Sequence, residues 1–304
     1  MAERFFKMIA VQNRRAIGCV LIGSVFISIG PFFVEFANVS AVTSAFYRML
    51  IGGIAFFLIA VYRQERLLNK WIFLPALFAA AILASDLTMC NMSILYIGSG
   101  ISTVLSNLEV VFLALIGFFF FQEKIPPLFG VMSCCLGIGV IFLCYIHIFE
   151  GDLHSVLGII LALGASMIYS VYLTLLKIIG IRYQTVPSTI RLSVICLLGA
   201  TLLGVWMVTQ KPIEFVISDW RGVACIFSNS IISQVLGWWF IAEGIGSLSL
   251  ALTGGLMLTQ PALTYFFDGL FLKRNISWFQ ICGCVLLLFT IYNITKRKTK
   301  QVNV

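Results

Sequence analysis

Ten separate runs of about 20 apolar residues fill almost the whole of this chain. An α-helix needs that length to cross a hydrocarbon core of roughly 30 Å, where every backbone N–H and C=O must find its partner inside the segment. The runs fall at 16–36, 40–61, 72–96, 99–121, 128–146, 154–176, 189–208, 221–242, 249–271 and 277–295. Hydrophobic residues make up 61% of the chain and charged residues 11%, too little charge to coat a water-soluble core of this length. The expected fold class is therefore an all-α integral membrane protein of ten transmembrane helices.

Two of these runs echo each other. ISTVLSNLEVVFLALIGFFFFQEK (101–124) and LTGGLMLTQPALTYFFDGLFLKRN (252–275) each carry a polar or proline-bearing turn at mid-depth, a Phe-rich lower half and a charged exit. The hinge expected in each, at Val110 or Pro261, lies the same distance before its exit charge, Glu123 or Arg274. The second copy follows five spans after the first, and an odd number of spans per copy turns the second upside down in the bilayer. The chain then divides into a cytoplasmic N-terminal segment (1–15), a first five-helix repeat (16–146), an external connecting loop (147–153), a second inverted five-helix repeat (154–295) and a basic tail (296–304).

The net charge of +8 does not read as nucleic-acid binding, because the basic residues lie on short loops and tails. With the N-terminus inside, the cytoplasmic segments collect Arg4, Lys7, Arg14, Arg15, Arg63, Arg66, Lys70, Lys124, Lys177, Arg182, Lys296, Arg297, Lys298 and Lys300. The other side carries Lys211, Arg221, Lys273 and Arg274. That skew places both termini in the cytoplasm of a multi-pass protein of the inner (cytoplasmic) membrane, with the tail against anionic lipid head groups. The first run is longer than a signal-peptide core and has no small-x-small cleavage site after it, so it reads as a retained helix.

Nine cysteines sit almost entirely inside the apolar runs, where they act as small hydrophobes with no metal-site spacing. His147 and His154, with Glu150 and Asp152, read as a solvated loop. There is no Walker glycine loop, GxSxG or HExxH, so neither an enzyme nor a bound cofactor is expected.

The informative residues are those that a bilayer should exclude. An ionisable side chain at mid-membrane costs roughly 2.5–3.5 kcal/mol on insertion scales and normally faces a cavity or a partner. Arg48, Asp86 and Glu109 come from three runs and fall in one layer near mid-depth, counting about 1.5 Å per residue. One bland reading pairs Arg48 with a carboxylate as a structural ion pair; two acids against one arginine still leave a surplus acid. Asn107 and Glu109 are about 200° apart on an α-helix, so they should point different ways, with Asn107 toward the centre. Ser230, Ser233, Gln234 and Gly237 line up on one face of the eighth run. Thr253, Met257, Gln260 and Thr264 do so on the ninth. Trp238 and Trp239 lie too deep for an aromatic belt. A central chamber is expected among Arg48, Asp86, Asn107 or Glu109, Gln234, Trp238 and Gln260, with isolated Ser and Thr making interhelical bonds instead.

The strings GPFFVEFANVSAVTSAFYRML, SDLTMCNMSILYIGSGISTVLSNLEVVF, FQEKIPPLFG, SQVLGWWFIAEGIG and LTQPALTYFFDGLF, in that order, resemble the EamA-like branch of the drug/metabolite transporter superfamily. The resemblance covers nearly the whole chain. It implies ten helices, cytoplasmic termini, two inverted repeats and movement of small organic metabolites. Matched positions are Arg48, Asp86, Asn107, Glu123, Gln234 and Pro261. The chain departs from the pattern at Val110, where a proline is usual, at Glu109, usually a small or apolar residue, and at Lys273-Arg274, where an exit acid is usual.

These readings converge on a secondary carrier, proton-linked or facilitative, for a small polar or amphipathic metabolite. Its expected partners are that substrate, membrane lipids and protons, with Asp86 as the proton-coupling candidate. A lipid flippase or its partner subunit is the alternative, and a membrane-embedded enzyme a weaker one.

Overall fold

The computed structural model describes residues 2–65, 72–122, 153–210, 215–217 and 219–271, with side chains except at 2–13, 210, 251, 265 and 268–271. The runs expected at 128–146 and 277–295, the exit charges Glu123 and Arg274, and the basic tail lie outside the described residues. Within them the chain is helical throughout, and seven helices or helix pairs are long and apolar enough to cross a membrane. These are Arg14–Ala37, Ala41–Tyr62, Phe73–Ile97, Ser99–Phe121, Leu153–Arg182, Ser188–Thr209 and Trp220–Ile245.

In chain order the elements are α1 (Ala2–Ser28), α2 (Gly30–Ala37), α3 (Ala41–Tyr62), α4 (Phe73–Ile97), α5 (Ser99–Ser106), α6 (Glu109–Phe121), α7 (Leu153–Arg182), α8 (Ser188–Gln210) and α9 (Trp220–Ser228). A π-helix (Asn229–Gly237), α10 (Trp238–Ile245), α11 (Leu250–Met257) and α12 (Thr259–Phe271) complete the described chain. Polar caps punctuate the apolar text. Ser40 Oγ accepts the Thr43 amide at 3.2 Å, Asp219 that of Arg221 at 3.1 Å and Ser249 that of Leu252 at 3.3 Å, each relieving an orphan N–H at a helix start. Helix α7 extends past the expected end at 176 to Arg182, carrying Lys177 within it. The Lys177 side chain is buried, with the ammonium 5.0 Å from the centre of the Phe121 ring.

The fourth run breaks between α5 and α6, one turn before the expected hinge at Val110. Asn107 folds back on its own helix, Nδ2 donating to Thr103 O at 2.5 Å, and the next amides slip to i−3 carbonyls: Leu108 to Leu105 at 3.1 Å, Val110 to Asn107 at 3.2 Å. The ninth run breaks at the matching place, Leu258, for another reason. Pro261 has no N–H and cannot continue the ladder onto the preceding turn. The two broken helices touch here, where a Cβ on Gly254 would stand 3.3 Å from Val110 Cα.

Packing brings elements far apart in sequence together. Helix α4 lies along α7, α3 along α8, α1 along the π-helix and α10, and α6 along α11. The α1 contact is close enough to exclude side chains: a Cβ on Gly23 would meet Gly237 O at 2.7 Å. Gly52 does the same for the centre. A Cβ there would stand 2.6 Å from Gln234 Cγ and 3.3 Å from its Cβ. Gly52→Ala should therefore displace Gln234 and destabilise the protein by about 1–3 kcal/mol, seen as a lower melting temperature of the detergent-solubilised protein. Gly18→Ala, with nothing within 4 Å, should leave it unchanged.

Candidate functional site

The π-helix is where the sequence pattern gave no warning. Nine residues wound i→i+5 rather than i→i+4 change the phase on which Ser230, Ser233, Gln234 and Gly237 were expected to line up. The wider turn presents both Ser233 and Gln234 to one guanidinium. Arg48 donates from Nε to Gln234 Oε1 at 2.9 Å and from Nη2 to Ser233 Oγ at 3.1 Å. Gln234 in turn donates from Nε2 to Cys196 Sγ at 3.2 Å. One arginine of α3 is thus tied to a segment 186 positions along the chain and, through it, to α8.

The structural ion pair is not formed. Among the described residues no carboxylate oxygen stands within 4.0 Å of the Arg48 nitrogens. Arg48 is 7% exposed, so its charge is held by neutral dipoles. Hydrogen bonds to a charged donor contribute roughly 1.5–3 kcal/mol each, against a burial penalty of several kcal/mol per ion. Two such bonds are of the same size as that penalty, so the guanidinium is held in place without a counter-ion.

Asp86 and Glu109 supply the negative side. Asp86 lies within electrostatic range of Arg48 and of Glu109, and both acids are buried, at 6% and 4% exposure. The 200° phase argument that set Asn107 toward the centre assumed a continuous helix, and this helix is broken between Asn107 and Glu109. Glu109 starts α6 facing the group of Asp86 and Tyr169, whereas the Asn107 amide nitrogen is spent on its own backbone.

Two residues of this site were not singled out in the sequence: Tyr169 and Tyr172 of α7. Both lie within electrostatic range of Asp86 and Arg48. Tyr172 meets the Trp238 ring edge-on at 4.9 Å and Tyr169 meets it at 5.8 Å. Their i, i+3 spacing on a helix face was the available signal. It was hidden by a run in which aromatic residues look like ordinary lipid-phase filler.

Several donors and acceptors here are buried with no partner: Trp238 Nε1, Tyr172 OH, Gln260 Nε2 and Asn107 Oδ1. Buried polar atoms are normally paired, so each of these leaves a hydrogen-bonding capacity that water or a ligand can meet. The small hydroxyls are divided: Ser24, Ser93 and Ser102 are also buried without a partner, whereas others are satisfied locally and not between helices. Ser230, Thr103 and Thr253 each bond the carbonyl of the preceding turn on their own helix. The structure therefore brings together Arg48, Gln234, Asp86, Glu109 and Trp238. Asn107 and Gln260 sit on the broken fourth and ninth runs, without a described side-chain bond to the others. A cavity of about 490 Å³ lies elsewhere, an apolar groove between α3 and α8 lined by Phe46, Leu50, Leu197, Val205 and Phe215 among others.

Known proteins agree with this architecture. The chain is 23% identical over 264 residues to a curated Archaeoglobus fulgidus protein described as an uncharacterized transporter, covering 85% of this chain and 90% of the relative. A protein of known crystal structure, 15% identical, superposes with a TM-score of 0.69 over 92% of this chain and 96% of its own, a likeness of fold. The model of the EamA-like transporter family matches residues 14–145 and again 156–296. With both halves matched, this multi-pass membrane protein belongs to the EamA-like transporter family.

Proposed function

We propose that the chain is a secondary transporter of a small polar or amphipathic organic metabolite, working by alternating access around the buried cluster of Arg48, Asp86 and Glu109. The single observation that carries this reading is a mid-membrane guanidinium held across the two halves by Gln234 and Ser233, with two acids close by and no ion pair formed. Two carboxylates facing one guanidinium leave a surplus negative charge, which a proton or a cationic group can meet. A substrate carrying an anionic group would engage Arg48, and its positive or apolar part would face the acids and the Tyr169–Tyr172–Trp238 rings.

The helix pairing supports ten helices in two inverted repeats. If each half has five spans, α1 packing on the eighth span and α4 on the sixth exchange when the halves are swapped. The α3–α8 and α6–α11 contacts map onto themselves. The paired breaks of the fourth and ninth spans and the twofold family match point the same way. The apolar groove between α3 and α8 would suit a lipid chain, and among the described residues its lining is uncharged, so a flippase is the second reading. Coupling through Asp86, and a cytoplasmic-membrane location with both termini inside, complete the proposal.

Two measurements check it. In proteoliposomes fed radiolabelled metabolite pools, Asp86→Asn should abolish pH-dependent accumulation while leaving the protein folded, because the amide keeps the shape and removes the titrating proton. Glu109→Gln should reduce it less. An unchanged pH profile in Asp86→Asn would make the acid structural and the carrier facilitative. For orientation, Ser155→Cys should react with an impermeant thiol reagent from outside intact cells and Lys298→Cys should not, since the Lys/Arg skew places the first outside and the second inside. The reverse pattern would overturn the topology.

A further inference from the structure

Below the central cluster, the ends of α3, α8 and α10 meet in a second polar group. Helix α3 ends with Gln64 in the left-handed region (φ 54°) and the Glu65 amide bonded to Ala60 O at 3.0 Å, a turn that carries Glu65 past the helix end. Its carboxylate accepts from Thr189 Oγ1, and that of Glu243, from α10, accepts from Ser188 Oγ. Two acids thus converge on the first two residues of α8, where the helix dipole also favours negative charge. Thr189 and Ser188 are buried and Glu243 is exposed, so the group runs from the interior to the aqueous edge.

Each acid has a guanidinium beside it: Glu243 is within electrostatic range of Arg191 without an ion pair, and Glu65 pairs with Arg63 only at the outer limit, 4.0 Å. The Arg63 guanidinium lies over the Trp239 ring, 4.6 Å from its centre. Arg191, one turn into α8, is within electrostatic range of Glu243, yet its Nη1 is buried beside Gly180 with no hydrogen-bond partner. An arginine can meet a carboxylate with two parallel N–H···O bonds where a hydroxyl offers one, so a second arrangement of the same four charged groups is available.

We propose that this group is the gate on the face where α3 ends at Tyr62 and α4 begins at Phe73, the 62–72 face, closed when Glu65 and Glu243 hold Thr189 and Ser188. It opens when Glu65 leaves Thr189 and closes fully on Arg63, and Glu243 passes to Arg191. The proposal rests on the transport reading and adds to it the residues that control one side of the path. Because each carboxylate exchanges a hydroxyl for a neighbouring guanidinium, opening leaves no acid stranded, and Arg191 gains the partner it lacks when the gate is closed.

A native reporter sits above the gate. Cys196 is buried against Gln234, seven residues beyond Thr189 and so about 10 Å along α8 at the helical rise. With the other eight cysteines replaced, the rate of Cys196 labelling by an impermeant maleimide is measured from each face of sealed vesicles. Ser188→Ala combined with Thr189→Val should raise the rate from the 62–72 face about fivefold or more and lower it from the opposite face. Glu65→Gln keeps an acceptor for Thr189 but removes the charge that Arg63 attracts, so it should lower the rate from the 62–72 face. Shifts of the same sign in both variants, or labelling from both faces that neither variant changes, would overturn the gate while leaving the transport reading standing. Labelling confined to one face or absent in the intact protein and in every variant would overturn both. Should the double variant fail to elute as a single species, Glu65→Gln, which preserves the hydrogen bond, decides by the sign of its shift.

Discussion

A guanidinium inside a membrane has to be held by something, and here the holder comes from the far half of the chain. The Arg48–Gln234–Cys196 series joins three helices through neutral groups. Much else follows from it. The π-helix is needed to aim Ser233 and Gln234 at one donor group, and Gly52 must lack a side chain to let Gln234 reach it. Had an acid closed directly on Arg48, its charge would be neutralised. Neutral partners leave that charge in place.

The apolar runs were readable because a bilayer permits few alternatives: a segment that crosses it must be helical, about 20 residues long and almost free of charge. All eight runs that fall within the described residues are seen as helices, with ends shifted by a few residues and most at Arg182. The charged members of the site were readable for the converse reason, since a side chain as expensive as Arg48, Asp86 or Glu109 rarely sits at mid-depth idly. What could not be read was geometry that depends on partners. Nothing in NSIISQVLG distinguishes a π-helix from an α-helix, and nothing in SNLEVV says that the Asn107 amide will turn back on Thr103. The phase argument for Asn107 against Glu109 assumed a continuous helix, and the break between them removes that premise.

Lys177 and the two tyrosines show the same limit from the side of composition. A lysine near the end of an apolar run reads as a loop residue, yet here it lies within the helix beside an aromatic ring. Tyrosines within a run rich in Ile and Leu read as filler, and become site residues only when Trp238 is seen against them.

The two breaks at mid-membrane are alike in place and unlike in permanence. The ninth span is interrupted by a ring that no change of environment can remove. The fourth is interrupted by an amide that competes with the ladder, and water or a ligand can outbid it. One half of the molecule therefore carries a bend fixed by covalent structure and the other a bend held by a hydrogen bond. Glu109, the first residue beyond the soft bend, would rotate with it, so the two halves, similar in outline, need not move alike.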